Sequence, residues 1–274
     1  MNFNDAIRHH WQSGTQVCVG LDPFLDRFPP AFSSQTNAIF EFNKAIIDAT
    51  AKYVCCFKPQ FAHYAAEAAE SQLKQTIAYA KSNYPNIPVI LDSKRGDIGS
   101  TASMYAREAF EHYLADAVTV NPYMGSDTVL PFAKFQDKGV IVLCRTSNPS
   151  AAEFQNQTIE GEPLYIHVAR KAQQLWNEHG NISLVVGATA AEEMAKIRSV
   201  APDLPFLVPG IGAQGGDLTA TVENGQTSPG SGLIINSSRQ VLYASQGEDF
   251  AQAAAKETKK LRDDINAIND HHHP

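Results

Sequence analysis

Eight short apolar runs recur along the chain, each closed by a polar residue, a glycine or a proline. They are 17–22, 53–57 (ending in Lys58-Pro59-Gln60), 88–92, 117–122, 140–145, 184–188, 206–210 and 233–237. Runs that stay apolar instead of alternating suit strands covered on both faces, as in a parallel sheet. Between them lie stretches with apolar residues at helical spacing. One is 37–50, with Ile39, Phe42, Ile46 and Ile47 on one face; the others are 62–82, 101–113, 163–179 and 190–200. Eight strands alternating with helices predict an α/β fold, a single-domain (β/α)8 TIM barrel over residues 1–274. The competing arrangement is a doubly wound open sheet. A chain of 274 residues suits one barrel, for which about 250 is typical. No Gly-, Ser- or Pro-rich linker divides it, and 224–232 reads as a loop before the eighth strand.

In such a barrel the residues that end the strands converge on one mouth, where active sites sit. Position alone therefore selects Asp22, Lys58, Asp92, Lys94, Asn121, Arg145, Gly210 and Arg239. The segment Asp92-Ser93-Lys94-Arg95-Gly96-Asp97 directly follows the third strand. Asp92 and Lys94 are two apart, so in extended backbone they point the same way. Lys58, from the neighbouring strand, makes an alternating array of Lys58, Asp92, Lys94 and Asp97. Neighbouring carboxylates keep such lysines charged, which opposes an imine-forming lysine, since that chemistry needs a depressed pKa. The array suits a reaction that builds negative charge on carbon and then protonates it. The bland alternative for an Asp-x-Lys is a solvated loop with incidental ion pairs.

After the seventh strand comes Pro209-Gly210-Ile211-Gly212-Ala213-Gln214-Gly215-Gly216-Asp217, and after the eighth Ser237-Ser238-Arg239. Loops in these places form the recurring phosphate site of the fold. Glycines let backbone N–H groups approach an anion, Gln214 adds an amide donor, and Arg239 supplies a two-donor cation. Otherwise the glycines only make a tight turn. A net charge of −7 opposes broad nucleic-acid binding but leaves a local anion pocket open.

The remaining composition bounds the setting. Cys18, Cys55, Cys56 and Cys144 lack zinc-like spacing and read as small buried hydrophobes of a reducing compartment. The first residues lack the basic and apolar blocks of a signal peptide. No apolar run approaches the ~18 residues of a membrane span. A cytoplasmic protein is expected, with His271-His272-His273-Pro274 as a flexible tail and not a metal site.

Asp92-x-Lys94-x-x-Asp97-Ile98-x-x-Thr101 resembles the signature of the orotidine 5′-phosphate decarboxylase family. Lys94 to Gly99, Lys-Arg-Gly-Asp-Ile-Gly, is similar to its longer bacterial subgroup, and the likeness runs from Val17 to Arg239. The resemblance implies a lyase converting orotidine 5′-monophosphate to uridine 5′-monophosphate and CO2, the last step of UMP synthesis, with no metal or organic cofactor. It implies Lys94 as proton donor to the ring carbon and Asp92 as the carboxylate facing the departing group. Lys58 would contact Asp92 and the ribose, and Asp22 would bind a ribose hydroxyl. Ser147 would read the pyrimidine edge, and Gln214 and Arg239 would hold the phosphate. Asp97 and Thr101 would reach the partner's nucleotide, implying a homodimer with shared sites. The residues themselves leave two roles open. Ser147 can instead stabilise the turn before Pro149, and Thr101 can instead cap the following helix. The segment 215–232 is longer than in compact members, so no lid contact is assigned there.

Two rival functions remain. A metal-dependent sugar-phosphate decarboxylase on a related barrel needs acidic magnesium ligands, and Lys58 and Lys94 among the carboxylates oppose a cation there. A non-catalytic nucleotide-binding barrel would keep Gln214 and Arg239 but has no use for the Lys/Asp array.

Overall fold

All eight apolar runs become strands, and every pairing between them is parallel. The computed structural model describes residues 2–32, 35–212 and 215–272, with side chains as far as 270. The strands are β1 (Val17–Leu21), β2 (Cys56–Pro59), β3 (Ile90–Arg95), β4 (Ala117–Val120), β5 (Gly139–Arg145), β6 (Ile182–Val186), β7 (Phe206–Val208) and β8 (Leu233–Ser237). They lie in the order β2-β1-β8-β7-β6-β5-β4-β3. Bridges between Phe57 and Val89 and between Gln60 and Asp92 join the two outer strands. That contact closes the ring and rules out the open sheet. The fold is a (β/α)8 barrel.

Closure divides the apolar residues into two cores. Inside lie Cys18, Cys56, Ile90, Ala117, Ile141, Val185, Leu207 and Ile234, one from each strand. The alternate positions face the surrounding helices and form the larger outer core. A helix that the periodic runs do not announce, Phe3–Gln12, plugs the bottom of the barrel. Asn2 caps it by accepting from the Asp5 N–H, and Phe3, Ile7 and Trp11, four apart, join the inner core. The Trp11 indole donates to the Leu233 carbonyl at the start of β8 (2.7 Å). Gly139, at the start of β5, makes room for this plug: a Cβ there would lie 2.3 Å from the Phe3 ring.

Several elements depart from the periodic pattern. The 62–82 stretch splits into helices Phe61–Ala65 and Glu70–Asn83. Ala68 takes a positive φ of 47°, and the Ala69 N–H closes the first helix on the Tyr64 carbonyl (2.8 Å). The 101–113 and 163–179 stretches each end in a π-turn, Glu108–His112 and Ala172–Trp176. Residues 224 and 225 are not loop but the end of a helix, Leu218–Gly225, capped by Asp217. Tyr53 lies in a 3-10 turn, so β2 starts later and takes in Lys58 and Pro59. The C-terminal helix runs Phe250–His272. Of the expected tail, 273 and 274 lie outside the described residues, and 271 and 272 continue that helix. No helix among the described residues is long and apolar enough to cross a membrane.

Candidate active site

The inner core sets the parity of each strand, and parity carries the site upward. Side chains two residues on from Cys18, Cys56 and Ile90 also face inward. This puts Lys58 and Asp92 one step above the core, and Asp22 two steps above Cys18. Register brings them together: Gly20 pairs with Lys58 in β1–β2, and Gln60 bridges to Asp92. Above them opens a cavity of about 640 Å³ at the C-terminal ends of the strands, within the range of small-ligand sites.

The floor of this cavity is an alternating charge array. Lys58 Nζ lies 2.9 Å from Asp92 Oδ2 and 3.9 Å from Asp22 Oδ1. Lys94 Nζ lies 2.6 Å from Asp92 Oδ1. Burial works against the charge on Lys58, but Asp22 and Asp92 more than offset it and raise its ammonium above the usual lysine range. Burial likewise works against the charge on Asp92, and Lys58 and Lys94 hold it well below the usual carboxylate range. Asp92 is therefore an anion and Lys58 a cation at neutral pH. Asp22 Oδ1 is buried and has no hydrogen-bond partner, an acceptor left over for a ligand hydroxyl.

The fourth member differs from the expected one. Asp97 makes no ion pair with Lys58 or Lys94 in this chain. Its backbone N–H donates to Thr128 Oγ1 and its carboxylate accepts from the Ile98 N–H. Asp22 completes the array instead. The cause is a register shift in the β3–β4 ladder between Leu91 and Arg95. At this bulge Lys94 takes a positive φ of 46°, so its direction is set by the bulge and not by strand alternation. Beyond it Arg95 leaves the barrel, held by paired hydrogen bonds to Glu108 (2.9 Å each). Its guanidinium lies between the rings of Phe61 (4.4 Å) and Tyr105 (4.7 Å).

The other predicted residues divide between the cavity and the outside. Ser147 and Arg239 line the cavity. Gly187 permits the approach of Ser147: a Cβ there would meet Ser147 Cα at 2.7 Å. Gly20 does the same for Ser238, whose Oγ would lie 1.9 Å from such a Cβ. Gly210 and Gly212 hold positive φ values of 105° and 73°, which turn the chain after β7 toward Arg239. Gln214 lies outside the described residues. Thr101 is exposed inside the first turn of helix Gly99–Arg107, and that helix is capped at Ile98 without a side-chain bond. Thr101 is thus not the cap. Asn121 and Arg145 do not reach the cavity. The Asn121 side chain accepts from the Tyr123 N–H. A register shift in β5–β6 between Leu143 and Arg145 sends Arg145 outward, 3.5 Å from Glu193.

Further residues of the site emerge only from tertiary contact. Thr119 bonds both Asp92 and the Lys94 backbone. Tyr243 pins the turn after β1 by donating to the Asp22 carbonyl and accepting from the Phe24 N–H. Gln155 clasps Thr146 through two hydrogen bonds of 2.8 and 2.9 Å, and it brings Phe154 to the cavity's edge. Only the parity of β4 could have pointed to Thr119, two residues above Ala117.

The family model described as Orotidine 5'-phosphate decarboxylase / HUMPS family matches residues 15–255. The orotidine 5′-phosphate decarboxylase of Cellvibrio japonicus (strain Ueda107) is 56% identical over 269 residues, covering 97% of this chain and 98% of its own. That of Azoarcus sp. (strain BH72) is 55% identical over 268 residues, covering 97% and 99%. The structure of Leishmania donovani OMP decarboxylase superposes with a TM-score of 0.84 at 39% identity, covering 98% of this chain and 99% of that one.

Proposed function

The chain belongs to the orotidine 5′-phosphate decarboxylase / HUMPS family, and from that premise we propose how it converts orotidine 5′-monophosphate to uridine 5′-monophosphate and CO2. It is a carboxy-lyase of UMP synthesis. The observation that carries the mechanism is the alternating array Asp22, Lys58, Asp92, Lys94 on the cavity floor. Arg239, Gln214 and the backbone after β7 hold the phosphate. Asp22 and Lys58 bind the ribose hydroxyls, and Ser147 reads the pyrimidine edge. This leaves the substrate carboxylate facing Asp92.

Asp92 is held as an anion, so it repels the substrate carboxylate, and departure of neutral CO2 relieves that repulsion. The bond from the ring carbon to the carboxylate breaks, and its electron pair stays on the ring carbon. The Lys94 ammonium stabilises that charge and then transfers one proton to the carbon. Lys94 regains a proton from water. A divalent metal, as a sugar-phosphate decarboxylase would need, finds the Asp92 carboxylate already taken, because both its oxygens face an ammonium group within 3 Å, and the two ammonium groups beside it oppose a further cation.

The test is loss of absorbance when orotidine 5′-monophosphate is added to the purified protein, with and without excess chelator. Wild type turns over in both. Lys94→Ala lowers kcat/KM by about 1,000-fold or more. Equal turnover by the variant, or none by wild type, removes this reading.

The active unit is a homodimer. Asp97 and Thr101 stand outside their own chain's cavity, beside exposed apolar side chains: Ile98 (52% exposed), Met104 (55%) and Tyr123 (83%). Helices Gly99–Arg107 and Ser126–Ala133, which flank this patch, pack on each other. A patch of this kind marks a protein interface. If each site takes Lys94 from one chain and Asp97 from the other, mixing inactive Lys94→Ala and Asp97→Ala chains restores about a quarter of wild-type activity. No recovery after verified subunit exchange removes the shared site. The four cysteines are buried and free, which suits the reducing cytoplasm.

A further inference from the structure

We propose that Thr119 is a positioning residue that aims the proton donor Lys94. This rests on the decarboxylase reading above. Thr119 is 1% exposed and does not line the cavity, so it acts only through its two partners. Its hydroxyl accepts from the Lys94 backbone N–H (2.9 Å) and donates to Asp92 Oδ1 (2.9 Å). Lys94 Nζ donates to that same oxygen (2.6 Å). The result is a closed ring: Thr119 hydroxyl, Asp92 carboxylate, Lys94 ammonium, Lys94 backbone.

Two features give the ring a purpose beyond polar satisfaction. First, a hydroxyl has a single proton. Because Thr119 accepts from Lys94, its proton points to Asp92, and the two bonds set each other's direction. Second, Lys94 sits at a positive φ of 46°, a region a side chain with a Cβ enters only when its surroundings hold it there. The Lys94 N–H bond to Thr119 is what β4 contributes to that hold. It lies within the segment where the β3–β4 register shifts, between Leu91 and Arg95. Without the hydroxyl, the bulge can relax and the ammonium loses its aim at the carbon above Asp92. Arg239, Asp22 and Ser147 follow other strands and keep their places, so substrate binding is spared.

The experiment measures kcat, KM and melting temperature for wild type and for Thr119→Val, Thr119→Ser and Thr119→Cys, with Lys94→Ala alongside. Valine keeps the shape and removes the hydroxyl. We expect it to lower kcat roughly 10- to 100-fold, the usual weight of a hydrogen bond to a charged group, with KM within about threefold. Serine restores kcat to within about threefold of wild type. A valine variant with wild-type kcat overturns the proposal, and so does a serine variant as slow as valine. If valine does not fold, cysteine decides, because its thiol is a weak donor. It should be about tenfold slower than wild type, and wild-type kcat there overturns the proposal. The decarboxylase reading is judged separately, by wild-type turnover and by Lys94→Ala. An active wild type with an inactive Lys94→Ala and an unaffected Thr119 series removes only this inference.

Discussion

On the β2–β3 side of the cavity, Asp92 accepts hydrogen bonds from three groups of its own chain, Lys58, Lys94 and Thr119. On the β7–β8 side, Arg239 is exposed and makes no ion pair among the described residues. The reacting end of the site is thus organised by folding itself. The anion-binding end keeps its cation free for the ligand's own charge. Each arrangement suits its task. Groups that act on a developing charge work best when already oriented, because no reorganisation is then needed during the reaction. A phosphate carries its charge throughout, so a solvated arginine can meet it on binding.

Removing one cation from each side tells the two arrangements apart. Lys58→Met leaves Asp92 buried with one fewer partner. Both activity and stability should fall, the latter by about 3–5 kcal/mol, the usual cost of breaking a buried pair. Urea unfolding measures it, and a loss under about 1 kcal/mol means the array is not a folding element. Arg239→Ala should raise KM for the nucleotide about 10- to 100-fold, with kcat within about threefold. Its melting temperature should stay near that of wild type, since exposed substitutions rarely move stability. A stability loss as large as that of Lys58→Met would erase the contrast.

The smallest effect is the pH dependence. Asp92 is held below the ordinary carboxylate value near 4. Its ionisation therefore stabilises the fold above about pH 4 and loses that effect as pH falls toward its lowered value, where the unfolded chain binds the extra proton. Asp92→Asn removes this contribution. The melting temperature of the variant should fall less steeply than that of wild type between about pH 5 and 3. Parallel slopes would show that the pairing does not hold Asp92 low.

Much of the site was legible because a barrel gathers strand ends. Lys58, Asp92, Lys94, Asp22 and Arg239 could be chosen from their places after apolar runs, and the structure puts all five at one cavity. Asn121 and Arg145 also end strands, yet neither reaches the cavity. Asp97, three residues beyond Lys94, does not join the array of its own chain. Bulges after Leu91 and Leu143 shift the register just before Asp97 and Arg145, so a place at a strand's end does not fix where those side chains point, while Asn121 turns back to the Tyr123 N–H. A bulge is a compromise between neighbouring strands, and the run of apolar residues on one strand carries no sign of it. The bottom helix escaped for a related reason: Phe3, Ile7 and Trp11 are too few to stand out, and their partners are spread over all eight strands.

Chain order and apolar patterning were enough to require a covered parallel sheet with charges at its strand ends, and the bridges Phe57–Val89 and Gln60–Asp92 then closed it into a barrel. Continuous apolar runs separated by helical periodicity demand a covered parallel sheet, and chain order places each polar residue at a strand's end. Tertiary structure alone decided the partners. Asp22, Lys58 and Asp92 are more than thirty residues apart in turn, and only strand register brings them within 4 Å. It also selected Asp22 over Asp97 as the fourth charge and turned Lys94 through a left-handed backbone. The reason is physical: periodicity is a property of a few neighbouring residues, whereas register, bulges and ion-pair distances arise only when separate strands are pressed together around a shared core.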